Sequence, residues 1–196
     1  MSVPPLLCLD QFLAADQHAR LRDCLQQQWG PAEQDSSWFP AQGMQASLLP
    51  GPSLHPLLDL MELVLRLFQD QCGETPPGAG LEWWINRNTS HAWHLDKDEF
   101  LLQECRKFRP ADRSFLYYVQ QPQIGGELEL MPAPLLPPSA DAGGTQCLEP
   151  FEGRLLSFDS RIYHRVRPYQ GDRLSIAINA WRRPPLYFSE QVGVLL

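Results

Sequence analysis

The stretch RLSIAINAW, residues 173 to 181, alternates with a period of two. Leu174, Ile176, Ile178 and Ala180 fall on one face, and Arg173, Ser175, Ala177, Asn179 and Trp181 on the other, the pattern of a β-strand with one apolar side to bury. The expected partner of that apolar side is a helical layer. The opposite face carries a cation and a hydroxyl two residues apart, an arrangement that suits a strand lining a cavity that holds an anion. Arg173 offers a planar fork that pairs bidentately with a carboxylate, and Ser175 can add a hydrogen bond.

The chain around this strand divides by composition. After TPPGAG (75–80), a turn-rich hinge, short aromatic and branched runs alternate with turns and predict strands at LEWWINR (81–87), SFLYYVQQ (114–121), ELELM (127–131), RLLSFDS (154–160) and YHRVRPY (163–169). Strands of this length and spacing suggest a sandwich or barrel. MPAPLLPPSADAGGTQ (131–146) is too rich in Pro and Gly for a regular element and predicts a surface loop that could act as a lid. Upstream the pattern is helical. FLAADQHARLRDCLQQQW (12–29) and the more strongly amphipathic LHPLLDLMELVLRLFQDQ (54–71) predict two helices, the second capped by Ser53, with Pro56 in its first turn and Cys72-Gly73 at its close. His18 and His55 ride on these helices as expected surface residues.

At 196 residues the chain fits one ordinary domain, large enough to bury roughly 70% of the surface its unfolded form exposes. A net charge of −7 argues against a nucleic-acid partner, which needs clustered Lys and Arg to displace counterions. No apolar run approaches the roughly 20 residues of a membrane span, and MSVPPLLCLDQFLAADQ lacks the basic and apolar regions of a signal peptide, so the expectation is a cytoplasmic protein. Five cysteines at irregular spacing, with no CxxC pair, predict reduced thiols and leave histidines and carboxylates as candidate metal ligands.

HAWHLDKDEF (91–100) supplies them. In an extended segment residues i and i+2 point to the same side, so His94 and Asp96 can converge on one ion while Leu95 turns away. One histidine lies downstream, His164, seventy positions later, and completes a His, carboxylate, His set. Two imidazoles and one carboxylate on one face of an ion, with other positions open, form the facial triad suited to non-haem Fe(II) that must also bind a co-substrate and O2. His91 would offer an HxxH alternative to His94.

With Arg173 nine residues after His164 and Ser175 on the same strand, the sequence resembles the Fe(II)/2-oxoglutarate-dependent oxygenases, in a subgroup similar to prolyl 4-hydroxylase catalytic domains. The resemblance covers roughly residues 81–182 and implies a mainly β fold, a double-stranded β-helix or jelly-roll barrel supported by the two N-terminal helices. It implies one domain over 1–196, with helical support in 1–80, the barrel core in 81–182 and a C-terminal tail in 183–196. His94, Asp96 and His164 would be the iron ligands, and Arg173, Ser175 and Tyr118 would bind 2-oxoglutarate. Tyr118 is the in-facing member of the Tyr117-Tyr118 pair on this reading, and Gly125-Gly126 serve a turn needing positive φ. Trp84 and Asn86 are expected to line the pocket.

The implied activity is hydroxylation of an unactivated C–H of an amino acid, peptide or protein side chain, with release of succinate and CO2. A non-catalytic sensor of the same fold and an oxygenase of a small metabolite are the alternatives. Asp98 and Glu99 follow the last ligand of the motif and are expected at the mouth of the site, where either could pair with a cationic substrate group. Arg161, Arg165 and Arg167 surround His164, and alternation turns Arg165 away from the metal.

Overall fold

A computed structural model describes residues 6–28, 36–41, 55–73, 75–88, 90–138 and 144–192. Its elements in chain order are β1 (Leu6–Leu9), α1 (Ala15–Gln28), β2 (Ser37–Pro40), α2 (His55–Cys72), β3 (Gly80–Arg87), α3 (Glu99–Cys105), β4 (Arg113–Gln120), β5 (Ile124–Gly125), β6 (Leu128–Leu130), β7 (Gln146–Leu148), β8 (Leu155–Phe158), β9 (His164–Val166), β10 (Tyr169–Gln170), β11 (Leu174–Trp181) and α4 (Leu186–Val192). Six strands form one antiparallel sheet in the order β1-β8-β4-β11-β3-β2. A three-stranded sheet, β7-β6-β9, and the β10-β5 pair complete the β structure.

The apolar face of β11 meets the helices as its alternation requires. Leu174, Ile176, Ile178 and Ala180 share one core with Leu21 and Leu25 of α1 and with Leu57, Leu60, Met61, Val64, Leu65 and Phe68 of α2. The α2 residues recur at intervals of three and four, so a single stripe of that helix faces the sheet. Ala177, on the other face of β11, joins a second core with Tyr118, Leu128, Leu130, Leu156, Phe158 and Val166, which fills the space between the larger and smaller sheets.

Several elements depart from the expectation. The segment assigned to helical support also contributes β1 and β2, which occupy the two edges of the larger sheet. YHRVRPY is split into β9 and β10, and the end of HAWHLDKDEF starts a further helix, α3. The tail holds α4, which packs near α3, with Phe188 stacked on Trp38 at 5.5 Å between ring centroids. Ser53 lies outside the described residues, as do 139–143 of the proposed lid. His18 is not a free surface residue: its ring lies 2.6 Å from the Tyr117 hydroxyl and 3.0 Å from Glu152 Oε1.

All five cysteines are free thiols. Among the described residues no helix is long and apolar enough to cross a membrane.

Candidate active site

His94 and His164 are brought together by an isolated antiparallel bridge in which each backbone N–H donates to the other's carbonyl at 3.0 Å. Their rings then lie 4.1 Å apart, centroid to centroid. Asp96 stands beside both, with one carboxylate oxygen 4.0 Å from His94 Nε2 and the other 3.7 Å from His164 Nε2. One ligand atom from each of the three can be chosen so that all lie within 4.8 Å of one another.

The ring tautomers follow from the local backbone. His94 Nδ1 lies 2.7 Å from the Ala92 carbonyl and His164 Nδ1 3.0 Å from that of Ile162, acceptors that require N–H at Nδ1. Both Nε2 lone pairs are therefore presented toward Asp96, the form in which imidazole binds a metal. Burial of His164 holds its pKa below the usual histidine value, against the pull of Asp96, and keeps the ring neutral. Asp96 is oriented in turn by Ser114, whose hydroxyl donates to Oδ2 at 2.5 Å. Ser160 Oγ at 2.8 Å and the Asn179 side-chain amide at 3.1 Å surround that hydroxyl.

The three residues line a cavity of about 300 Å³ whose wall also includes Glu82, Trp84, Asn86, Lys97, Glu99 and Asn179. His91 is on this wall as well, its Nε2 3.3 Å from Asn86 Oδ1, outside the three-residue group.

Further along the same face of β11, Arg173 is 1% exposed and Ser175 fully buried. Register pairs Ser175 with Tyr118 on β4 and with Asn86 on β3. The guanidinium lies 5.4 Å from the ring centroid of Tyr118 and 5.9 Å from that of Tyr169. Among the described residues, all three guanidinium nitrogens, both tyrosine hydroxyls and Ser175 Oγ lack a hydrogen bond of ordinary length. A buried cation without an acceptor is costly, so a cradle of one guanidinium and three hydroxyls suits a ligand carboxylate. Burial raises the Tyr118 pKa, with Arg173 partly opposing it, so the hydroxyl stays protonated as a donor. The turn beside the cradle contains Gly125 (φ 76°) and Gly126 (φ 79°), and a Cβ on Gly126 would lie 2.8 Å from Pro122 Cγ and 3.6 Å from Arg173 Cδ.

A two-histidine, one-carboxylate donor set near a buried anion cradle fits Fe(II) and 2-oxo acid chemistry. The family model of the 2OG-Fe(II) oxygenase superfamily matches residues 83–181, half of the chain. The chain belongs to this superfamily.

Its cofactors are accordingly Fe(II) and 2-oxoglutarate, and the protein is an oxidoreductase. No curated protein matches this oxygenase by sequence. Solved structures similar to it include a prolyl-4-hydroxylase of Pseudomonas putida, at 21% identity and TM-score 0.59, with 92% of this chain and 89% of that one covered. Another is a prolyl hydroxylase of Trichoplax adhaerens, crystallised with a peptide fragment of the hypoxia inducible factor oxygen degradation domain, at 15% identity and TM-score 0.61 over 91% and 84% of the two chains. HygX of Streptomyces hygroscopicus, with nickel and 2-oxoglutarate bound, aligns at 14% identity and TM-score 0.57 over 91% and 83%. The likeness shows the fold, a double-stranded β-helix with N-terminal helices.

Asp98 does not lie at the mouth of the oxygenase's cavity. Its carboxylate is buried, caps α3 by accepting from Leu101 N at 2.9 Å, pairs with Arg109 at 2.5 Å and accepts from Leu186 N at 2.9 Å. These contacts join α3, the 106–110 segment and α4, and leave no room for a substrate cation. Glu99 does reach the cavity, where Lys97 pairs with it at 2.5 Å. Arg165 turns away from His164, as alternation requires, onto Glu129 at 2.6 Å and the face of Trp93.

Sequence reasoning missed Tyr169, Ser114, Ser160, Asn179 and Glu82. Glu82 was within reach of the period-two rule that selected Trp84 and Asn86. Tyr169 carried no such signal, because only the β10-β5 pairing brings its segment back beside Gly125.

Proposed function

We propose that this oxygenase hydroxylates an unactivated C–H bond of an amino acid, peptide or protein side chain, consuming 2-oxoglutarate and O2 and releasing succinate and CO2. The observation that carries the reading is the metal-ligand group of His94, Asp96 and His164 on the wall of a cavity large enough for a side chain. Structural neighbours named as prolyl hydroxylases, one of them holding a peptide, support the substrate class.

His94 Nε2, Asp96 and His164 Nε2 would hold Fe(II), and Arg173, Ser175, Tyr118 and Tyr169 the far carboxylate of 2-oxoglutarate. Bound iron supplies the O2 activation and one-electron chemistry that no amino-acid side chain provides. The protein's part is orientation. The Nδ1–H bonds to Ala92 and Ile162 orient both imidazoles, and Ser114 orients the carboxylate, so all three ligands already face the site that the metal would occupy. The Arg173 guanidinium neutralises the co-substrate away from water and sets its depth, while the apolar walls at Leu116, Leu128, Phe158 and Val166 exclude solvent from the reacting centre.

Anaerobic titration with Fe(II) and 2-oxoglutarate should give a weak visible charge-transfer band, and admission of O2 should yield succinate. Asp96→Ala should remove both. A band without succinate from any amino acid or peptide would favour the sensor reading, and neither signal would overturn the proposal.

A further inference from the structure

β3 presents Leu81 and Ile85 to the helices, and Glu82, Trp84 and Asn86 to the cavity. Register places Glu82 opposite Asn179, whose other neighbour across the sheet is Ser114, the residue that grips Asp96. Glu82 therefore lies two strand spacings, roughly 10 Å, from Ser114 along the cavity floor. A substrate whose reacting C–H sits at the metal ligands can reach Glu82 with a group several bonds away.

The charges of the cavity wall single this residue out. Lys97 is occupied by Glu99, and Asp96 belongs to the candidate metal group. Glu82 is held by neutral donors, Trp181 Nε1 at 3.1 Å and the Ser36 side chain, and among the described residues no cation pairs with it. Trp181 is itself fixed by burial and by Arg109, whose guanidinium lies 5.5 Å from its ring centroid. The carboxyl is thus aimed by its surroundings and lacks a counter-ion. Burial pushes its pKa up to about 7, the two hydrogen bonds opposing the rise and Asp96 and Asp98 adding to it. Trp84, two residues along the same face, offers an aromatic surface that attracts cations.

We infer that Glu82 anchors the substrate by pairing with a cationic group, an amine or guanidinium, so that the preferred substrates are basic amino acids or basic side chains of a peptide. The inference rests on the hydroxylase reading and names the substrate class of that same site. It also replaces Asp98 by Glu82 as the residue that meets a substrate cation.

The experiment uses the full chain. Binding is measured by calorimetry without O2, on protein loaded with Mn(II) and 2-oxoglutarate, for peptides of one sequence carrying arginine, lysine, citrulline or norleucine at the central position, and for the four free amino acids. The same compounds are then given to the Fe(II) enzyme in air and scored for a one-oxygen mass gain. The expected result is at least tenfold tighter binding of arginine or lysine forms than of their neutral counterparts, with the oxygen gain on the bound molecule. Glu82→Gln should abolish that preference. Equal or better binding of the neutral forms, or a preference that survives Glu82→Gln, would overturn the inference. Succinate production that no basic compound stimulates would also overturn it while leaving the hydroxylase reading intact; no succinate under any condition would remove that reading first.

Discussion

His94 and His164, seventy residues apart, exchange both backbone hydrogen bonds at 3.0 Å, so the two candidate metal ligands are held by main chain before any metal arrives. Replacing either imidazole should then remove metal affinity without dismantling the bridge. For His94→Ala, the more exposed of the two, the expected result is loss of Fe(II) binding by at least 100-fold with a Tm within a few degrees of the parent apoprotein, read by metal titration and by thermal melting.

The Ser114 hydroxyl directs one oxygen of Asp96 through a 2.5 Å hydrogen bond. Ser114→Ala leaves the carboxylate free to rotate and strips it of a charge-assisted bond. Fe(II) affinity should fall roughly 10-fold, within the range found when a supporting partner of a metal ligand is lost. Ser114→Thr, which restores the hydroxyl, should recover most of it; an unchanged affinity in Ser114→Ala would remove the assigned role.

Arg173 lies in a cradle whose donors lack an acceptor at ordinary hydrogen-bond length among the described residues. Addition of 2-oxoglutarate should raise the Tm of the parent protein, because a ligand that binds only the folded state stabilises it. Arg173→Met should abolish that rise, and Arg173→Lys should weaken it, since an ammonium cannot reproduce the planar fork.

The Asp98 carboxylate serves three partners at once, Leu101 N at the α3 N-terminus, Arg109 and Leu186 N. Asp98→Ala removes a cap and one partner of a buried ion pair, at a cost of about 3 kcal/mol in urea unfolding. The 2-oxoglutarate-induced rise in Tm should persist.

Glu82 gives a pH dependence of stability. Its folded pKa, about 7, exceeds its ordinary value of 4.5, so the folded state keeps a proton that the unfolded state releases. Stability from this group is therefore highest below about 4.5 and declines as pH rises toward 7. Glu82→Gln should stabilise the apoprotein at pH 8 by up to about 3 kcal/mol and by almost nothing near pH 4, measured by urea unfolding at both values. A site residue that costs stability and is kept for binding would behave in this way.

Much of this was legible from residue order because it depends on short-range periodicity. RLSIAINAW announced a strand with an apolar face and a polar one, and the apolar face packs on the helices as alternation required. The LHPLLDLMELVLRLFQDQ stripe likewise announced α2, and His-x-Asp announced two ligands on one side of an extended segment. The edge strands β1 and β2 gave no comparable signal, being four residues each and stabilised by pairing with distant strands.

The sequence by itself therefore determined α1, α2 and the longer strands, the candidate metal-ligand set and the cation at Arg173. Tertiary structure alone decided which carboxylate faces the cavity. Asp98 and Glu82 are equally acidic in sequence, yet the first is consumed by a helix N-terminus, Arg109 and α4, while the second stands on the cavity wall with neutral donors. That difference arises from which backbone amides and cations the fold brings within hydrogen-bonding distance, a relation among residues as many as 99 positions apart that no local pattern records.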